Sequence, residues 1–344
     1  MKTRYKIIIG VVVLLILLAL SGVFALRHAI MQTPFSTSPG TQYIYIDHDD
    51  NIDSVRHQLE KTCRPKRMWN FDALANYMKY EQKVKSGRYE ICATMSVLDV
   101  LRMLRNGIQS PVKVIINPTR SIHKVAGKLS DVLLVDSTVW SQCFTDSTFC
   151  KKWQLTPATL YSFFIPNTYE MYWDTTPEEF MQRMQQEYQR FWNTHRKELA
   201  TKRGLSPDEV VVLASIVDQE TNYTPEKPAV AGMYLNRLKR GMLLQADPTV
   251  KFALGDWSIR RVLHKHLEYD SPYNTYRYKG LPPTPIALPA LSSIEAVLNA
   301  EENDYLYMCA KEDFSGQHNF ATNYSQHLRN ARKYTQALNK KGIK

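Results

Sequence analysis

The 344-residue chain is 44% hydrophobic and 22% charged, an ordinary globular composition for one large or two modest domains, without internal repeats or low-complexity tracts. Its formal net charge of +11 fits a nucleic acid, an anionic membrane surface or an acidic polymer as partner, or serves solubility alone. No zinc-finger, homeodomain or RNP pattern is present, which argues against nucleic acid.

From Ile7 to Leu26 the chain carries no charge, and at about 1.5 Å per residue a helix of this stretch spans the roughly 30 Å hydrocarbon core of a bilayer. A cleaved signal peptide has a shorter apolar region, about 7 to 15 residues, and ends at a small-x-small site. Here Arg27 and His28 follow Leu26 directly, so residues 7–26 are expected to be a retained transmembrane helix. Lys2, Arg4 and Lys6 precede it with no acidic residue among them, and the positive-inside rule then exports everything after Arg27. All five cysteines, Cys63, Cys92, Cys143, Cys150 and Cys309, fall in that exported part. Cys143–Cys150 and Cys63–Cys92 bridges and buried free thiols are all open, although an odd count leaves at least one thiol unpaired.

Residues 28–41 are rich in Ser, Thr, Pro and Gly and read as a flexible tether. A small α/β module is expected over 42–116. Tyr43–Ile46 reads as a strand, Ile52, Val55 and Leu59 recur at helical spacing, Phe71, Leu74 and Met78 suggest a second helix, and Tyr89 with Ile91 marks another strand. Ser96 and Asp99 form a capping-box pattern before Val97, Leu101 and Leu104, with Gly107 as the stop, and Val112–Ile116 reads as a further strand. Beyond it, Ile122–Leu134 and Pro177–Trp192 look helical, and the aromatic LYSFFIPNTYEMYW between them reads as an irregular core segment.

Ser206-Pro207-Asp208-Glu209 is a dense helix start: N-cap, proline at the first helical position, and a capping-box glutamate, with Leu205 and Val210 as hydrophobic staple. Val210–Val217 is apolar on nearly every face, so the helix must be buried all round. At about 100° per residue Glu220 continues the stripe of Leu213, Ile216 and Val217, while Asp218 points about 160° away beside Ala214 and Ser215. A carboxyl extending a buried stripe is desolvated, which raises its pKa and suits a general acid for a glycosidic oxygen. The plainer alternative is a surface ion pair at a fraying helix end.

Downstream, PAVAGMYLNRLKRGMLL reads as a helix bearing Val230, Tyr234, Leu235 and Leu238, with Gly241 as its stop. Asp247-Pro248 reads as another N-cap with proline at the first helical position, and Gln245 as a sugar-contacting amide. The tyrosine- and proline-rich segment at residues 271–289 offers its rings, those of Tyr273, Tyr276 and Tyr278, for stacking on sugar faces and Asn274 for an N-acetyl group. His318 and His327 read as structural.

ASIVDQET (214–221), NRL (236–238), LQADPTV (244–250), YNTY (273–276), GLPP with Pro285-Ile286, and YLYMCA (305–310) together resemble the endolytic murein transglycosylases, the YceG-like or MltG family. FFIPNTYEMY is similar to that family's segment before its catalytic region. The family pattern SI(V/I)EKE has its catalytic glutamate at the second acidic position, here Glu220. Asp218 shortens the first, and INPTR (116–120) departs from a usual proline-glutamate-glycine turn.

The resemblance implies an α+β protein: the transmembrane helix at 7–26, the tether, a LysM-like module at 42–116, and a transglycosylase catalytic region at 117–340. It implies a lyase with catalytic Glu220 and substrate contacts from Gln245, Asp247, Tyr273, Asn274 and Thr275, with no cofactor and no metal. Its partners would be peptidoglycan glycan strands, the inner membrane and peptidoglycan synthases, with no nucleic acid. The chain would be a single-pass inner-membrane protein with its C-terminal domain in the periplasm. It would cut the MurNAc-GlcNAc β-1,4 bond of nascent strands to leave 1,6-anhydroMurNAc ends and terminate elongation. Two rivals stand beside it: a muramidase that pairs Glu220 with Asp247, and a non-catalytic peptidoglycan-binding scaffold.

Overall fold

The apolar runs and cap signals become helices joined by short loops, with three pairs of strands among the described residues. The computed structural model describes residues 2–31, 35, 41–65, 67–259 and 261–342. Helix α1 (Lys2–Met31) contains the uncharged stretch, and its Tyr5–Ala25 span, with a mean hydropathy of 3.2, has no part buried within the protein. Among the described residues it is the one helix long and apolar enough to cross a membrane. The helix runs on to Met31, past the point where the tether was expected to begin, because Arg27 to Met31 contains neither proline nor glycine to stop it. Tether residues 32–34 and 36–40 lie outside the described residues.

The chain divides into two compact units, one of Met1–Lys113, Val132–Leu134 and Glu170–Thr175, the other of Val114–Asp131, Val135–Tyr169 and Thr176–Lys344. The first contains β1 (Gln42–Ile46), α2 (Ile52–Cys63), α3 (Trp69–Tyr77), β2 (Gly87–Ile91) and α4 (Val97–Asn106). Asn51 caps α2 by accepting from the Asp53 and Ser54 N–H groups. Helix α4 has the Ser96–Asp99 capping box and ends at Gly107, whose φ of +71° suits a residue without a Cβ. Strands β1 and β2 pair antiparallel, Ile44 opposite Tyr89 and Gln42 opposite Ile91, so alternate side chains meet Val55, Leu59, Phe71, Leu101 and Leu104 in one core. Each such side chain contributes about 1.5–3 kcal/mol when fully buried.

Strand β3 (Val112–Ile116) is followed by α5 (Ile122–Ser130), α6 (Ser137–Thr145), α7 (Ser147–Lys151), α8 (Leu160–Phe163) and β4 (Asn167–Met171). Strands β3 and β4 form a sheet of their own. The stretch read as irregular core is therefore partly a strand. Pro166 cannot continue α8, and Tyr169 and Met171 are buried in alternation with exposed Thr168 and Glu170.

The remaining elements are α9 (Pro177–Phe191), α10 (Thr194–Lys202), α11 (Pro207–Glu220), α12 (Lys227–Lys239), α13 (Asp247–Ala253), α14 (His264–Leu267), α15 (Leu291–Leu298), β5 (Tyr307–Ala310), β6 (His318–Ala321) and α16 (Tyr324–Lys340). Helix α11 is the centre of the second core, where Val210, Leu213, Ile216 and Val217 meet Val230 and Tyr234 of α12 and Ile294 and Val297 of α15. All five cysteines are unpaired, and burial pushes the Cys63 thiol up to about 11.

Candidate active site

The capping box of Ser206 and Glu209 and Pro207 in the first turn start α11, and every side chain from Val210 to Val217 is buried. Its single polar core residue is satisfied twice over: Ser215 Oγ donates to the Val212 carbonyl at 2.7 Å and accepts from the Ile286 N–H at 3.0 Å. So constrained, the helix delivers Asp218, Gln219 and Glu220 at its end in fixed directions, each to a different partner.

Asp218 and Lys227 form an ion pair at 2.9 Å, with side-chain exposures of only 11% and 6%, and Ser293 donates to the same carboxylate oxygen. Gln219 accepts from Arg120 Nε at 2.6 Å, and the Arg120 guanidinium lies over the Trp257 ring, 4.4 Å from its centroid. Glu220 accepts a 2.7 Å hydrogen bond from the hydroxyl of Tyr234, a buried residue of α12. Asp218 and Glu220 thus have different surroundings, in keeping with their angular separation on the helix.

Glu220 opens into a cleft of about 350 Å³ lined also by Tyr234, Arg237, Gln245, Asp247 and Tyr276. Loss of hydration raises its pKa to about 7; the Tyr234 hydrogen bond pulls the other way, the Asp247 charge adds to the rise, and Lys251 opposes it. A carboxyl with this pKa is populated in both protonation states near neutrality, as a group that gives up a proton and takes one back requires.

Of the expected substrate contacts, Gln245 and Asp247 line this cleft and the others do not. Arg237, itself buried, donates to Gln245 Oε1, and to the Leu243 and Leu306 carbonyls at 2.8 Å each. Asp247 is not an N-cap: that position belongs to Ala246, and the Asp247 carboxylate instead accepts from the Tyr276 hydroxyl at 2.6 Å. Pro248, one residue later, still occupies the first turn of α13.

The other three are engaged within the fold. Asn274 is fully buried, donates both amide hydrogens to the Leu267 and Tyr269 carbonyls at 2.9 and 2.7 Å, and accepts from the Tyr276 N–H, so its amide is turned into the protein and closed to an N-acetyl group. Thr275 is buried, with Oγ1 accepting from the Ala246 N–H at 3.0 Å and lying 2.8 Å from Thr249 Oγ1. Tyr273 packs on Phe252, with ring centroids 4.8 Å apart, and its hydroxyl lies 2.8 Å from Thr284 Oγ1. Of the three, Thr275 fastens the segment that carries Gln245, since its carbonyl also accepts the Gln245 N–H at 3.1 Å.

Sequence reasoning missed Tyr234 and Arg237 as parts of the cleft; Tyr276 lies in the segment whose rings were expected to meet sugars. A tyrosine and an arginine on an otherwise apolar helix face were the available signal, since both need polar partners once buried. The histidines read as structural also reach the cleft. His318 Nδ1 lies 2.9 Å from Glu226 Oε2 and is held there, whereas His327 stacks on Tyr307, and burial and Arg237 push its pKa down.

Fold and site together define a mixed helix-and-strand protein with one long apolar N-terminal helix and a carboxyl of raised pKa in an open polar cleft. The chain belongs to the YceG-like family, whose model matches residues 44–333. It is 37% identical over 168 residues to an endolytic murein transglycosylase of Bacillus subtilis (strain 168), a match covering 49% of this chain and 46% of that protein. An endolytic murein transglycosylase of Streptococcus pneumoniae serotype 2 is 25% identical over 355 aligned positions, covering 94% of this chain and 64% of that one. The chain thus spans less than two thirds of the length of either relative. A yceG-like protein of known structure from Listeria monocytogenes superposes with a TM-score of 0.54 at 25% identity, over 85% of this chain and 99% of that one.

Proposed function

We propose that this protein is an endolytic murein transglycosylase that cuts the MurNAc-GlcNAc β-1,4 bond within nascent glycan strands and so ends their elongation. The observation that carries this reading is Glu220, a carboxyl with a pKa of about 7, held by Tyr234 in a polar cleft. Family membership and the names of the two relatives support it.

In this mechanism protonated Glu220 donates to the oxygen leaving C1 of N-acetylmuramic acid as the glycosidic bond breaks. The resulting carboxylate then takes the proton of the same sugar's C6 hydroxyl, whose oxygen closes onto C1 to give the 1,6-anhydro ring. The nucleophile is intramolecular, so orientation replaces activation of a water. Tyr234 fixes the carboxyl in one rotamer and moderates its pKa. Gln245 and Asp247 contact the sugar from the start of α13 and the residues just before it.

The muramidase alternative draws on Asp247, a second carboxylate lining the same cleft. Its engagement by the Tyr276 hydroxyl disfavours activation of water. Residues 117–340 form the catalytic region in this account, and residues 42–116, with their own small core, a LysM-like module for peptidoglycan. The apolar helix serves as a single-pass inner-membrane anchor, with Lys2, Arg4 and Lys6 on the cytoplasmic side and the C-terminal domain in the periplasm near peptidoglycan synthases. Mass spectrometry of digests of uncrosslinked glycan strands tests the whole. Internal fragments with anhydro ends are expected, and binding to sacculi without turnover establishes a scaffold instead.

A further inference from the structure

We propose that the free edge of β5 in the cleft binds the peptide stem attached to the reacting muramic acid, through the main-chain groups of Met308 and Ala310. The identity of the peptide rests on the murein reading above.

Strand β5 pairs with β6 alone. The register sets Tyr307 opposite Ala321 and Cys309 opposite Asn319, and the Lys311 N–H continues the ladder to the Gln317 carbonyl at 2.9 Å. Antiparallel ladders alternate, so the peptide groups of Tyr307, Cys309 and Lys311 turn towards β6 and those of Met308 and Ala310 turn away from it. Among the described residues these two outward-facing pairs of N–H and C=O groups have no hydrogen-bond partner. The Leu306 carbonyl just before them is taken by Arg237 at 2.8 Å, so the free run starts at Met308.

All four residues of β5 line the same cleft as Glu220, and none is fully buried. Successive side chains of a strand point to opposite faces, so four consecutive residues border one space where the strand presents its edge to it. An unpaired edge is a template for another amide chain, and peptide recognition by strand addition uses these groups. Muramic acid carries its peptide on the lactyl ether of the ring whose C1 reacts, so a substrate sugar placed against Glu220 brings amide groups into the same cleft. The outward groups of Met308 and Ala310, two residues and roughly 7 Å apart, match the repeat of an extended peptide. Arg237, whose guanidinium reaches the Leu306 carbonyl, brings a positive charge beside the start of this run and suits a stem that bears carboxylates.

The test compares stem-bearing glycan strands with the same strands stripped of peptide by an amidase, using the full chain. We expect kcat/KM to be about tenfold higher for stem-bearing strands, through KM, the effect of about two net hydrogen bonds. Met308→Pro and Ala310→Pro each remove one outward N–H and leave the ladder to β6 intact, as proline does on edge strands. Both variants should bring the ratio of the two rates towards one. Independently, free stem peptide should slow amide exchange at residues 307–310 of the wild-type chain. Equal kcat/KM on the two substrates, or exchange unaffected by stem peptide, overturns the proposal. Protection by stripped glycan alone assigns the edge to the sugars' N-acetyl amides and also overturns it. Should neither substrate be cleaved, the murein reading fails, while the exchange arm still decides whether the edge binds peptide.

Discussion

Replacing Glu220 with glutamine should remove activity and at the same time stabilise the protein at neutral and alkaline pH. The carboxyl has an ordinary value of 4.5 and reaches about 7 in the fold, chiefly because burial strips its hydration. Below pH 4.5 it is protonated in folded and unfolded chains alike and contributes no pH dependence. Between 4.5 and 7 the unfolded chain releases the proton and the folded one retains it, so wild-type stability falls as pH rises. At about 1.4 kcal/mol per pKa unit the full effect approaches about 3 kcal/mol above pH 7, an upper bound because the group keeps an opening to the cleft. Glutamine bears no charge and still accepts from Tyr234. Urea unfolding of Glu220→Gln and wild type, followed across pH 4 to 8, should give curves that coincide at pH 4 and separate by about 1–3 kcal/mol in favour of the variant at pH 8. Turnover should fall at least about 10³-fold at every pH. A variant equal to or less stable than wild type at pH 8, with no trend from pH 4, refutes the claim that Glu220 is held near neutrality by desolvation.

Tyr234→Phe deletes a hydrogen bond that lowers the Glu220 pKa, so the alkaline limb of the pH–rate profile should move above about pH 7 and kcat should drop about tenfold; an unmoved limb denies Tyr234 its tuning role. Lys227→Met leaves Asp218 buried without its countercharge and should lower stability by about 3–5 kcal/mol in chemical denaturation, whereas Asp218→Asn should retain far more turnover than Glu220→Gln. Gly232→Ala places a Cβ 2.4 Å from the Glu301 carbonyl oxygen and should destabilise by about 1–3 kcal/mol, measured as a lower melting temperature.

The elements with strong local signals were legible in the sequence. The caps at Ser96 and Ser206, the stop at Gly107 and the eight-residue apolar run of α11 each dictate their own conformation, and the direction of Glu220 follows from helical geometry alone. Strand β4 escaped because its pairing with β3 joins segments distant in sequence. The site was half legible for a similar reason. Asn274 and Thr275 are polar residues in a loop, where sugar contact and loop fastening need the same hydrogen-bonding groups, and only the fold shows that Leu267, Tyr269 and Ala246 use them. Conversely, Tyr234 looked like core on an apolar helix until α11 placed a carboxyl against its hydroxyl.

The most direct test of the central claim, that Glu220 acts as sole acid and base in an intramolecular ring closure, is digestion of glycan strands in water enriched with oxygen-18. Hydrolysis must place a solvent oxygen on C1, whereas attack by the C6 hydroxyl uses an oxygen the sugar already holds. The account predicts new muramic termini that carry no label, resist borohydride and are lighter by one water than a hydrolytic end. Labelled, borohydride-reducible termini would contradict it and make the protein a muramidase with a second carboxylate at work.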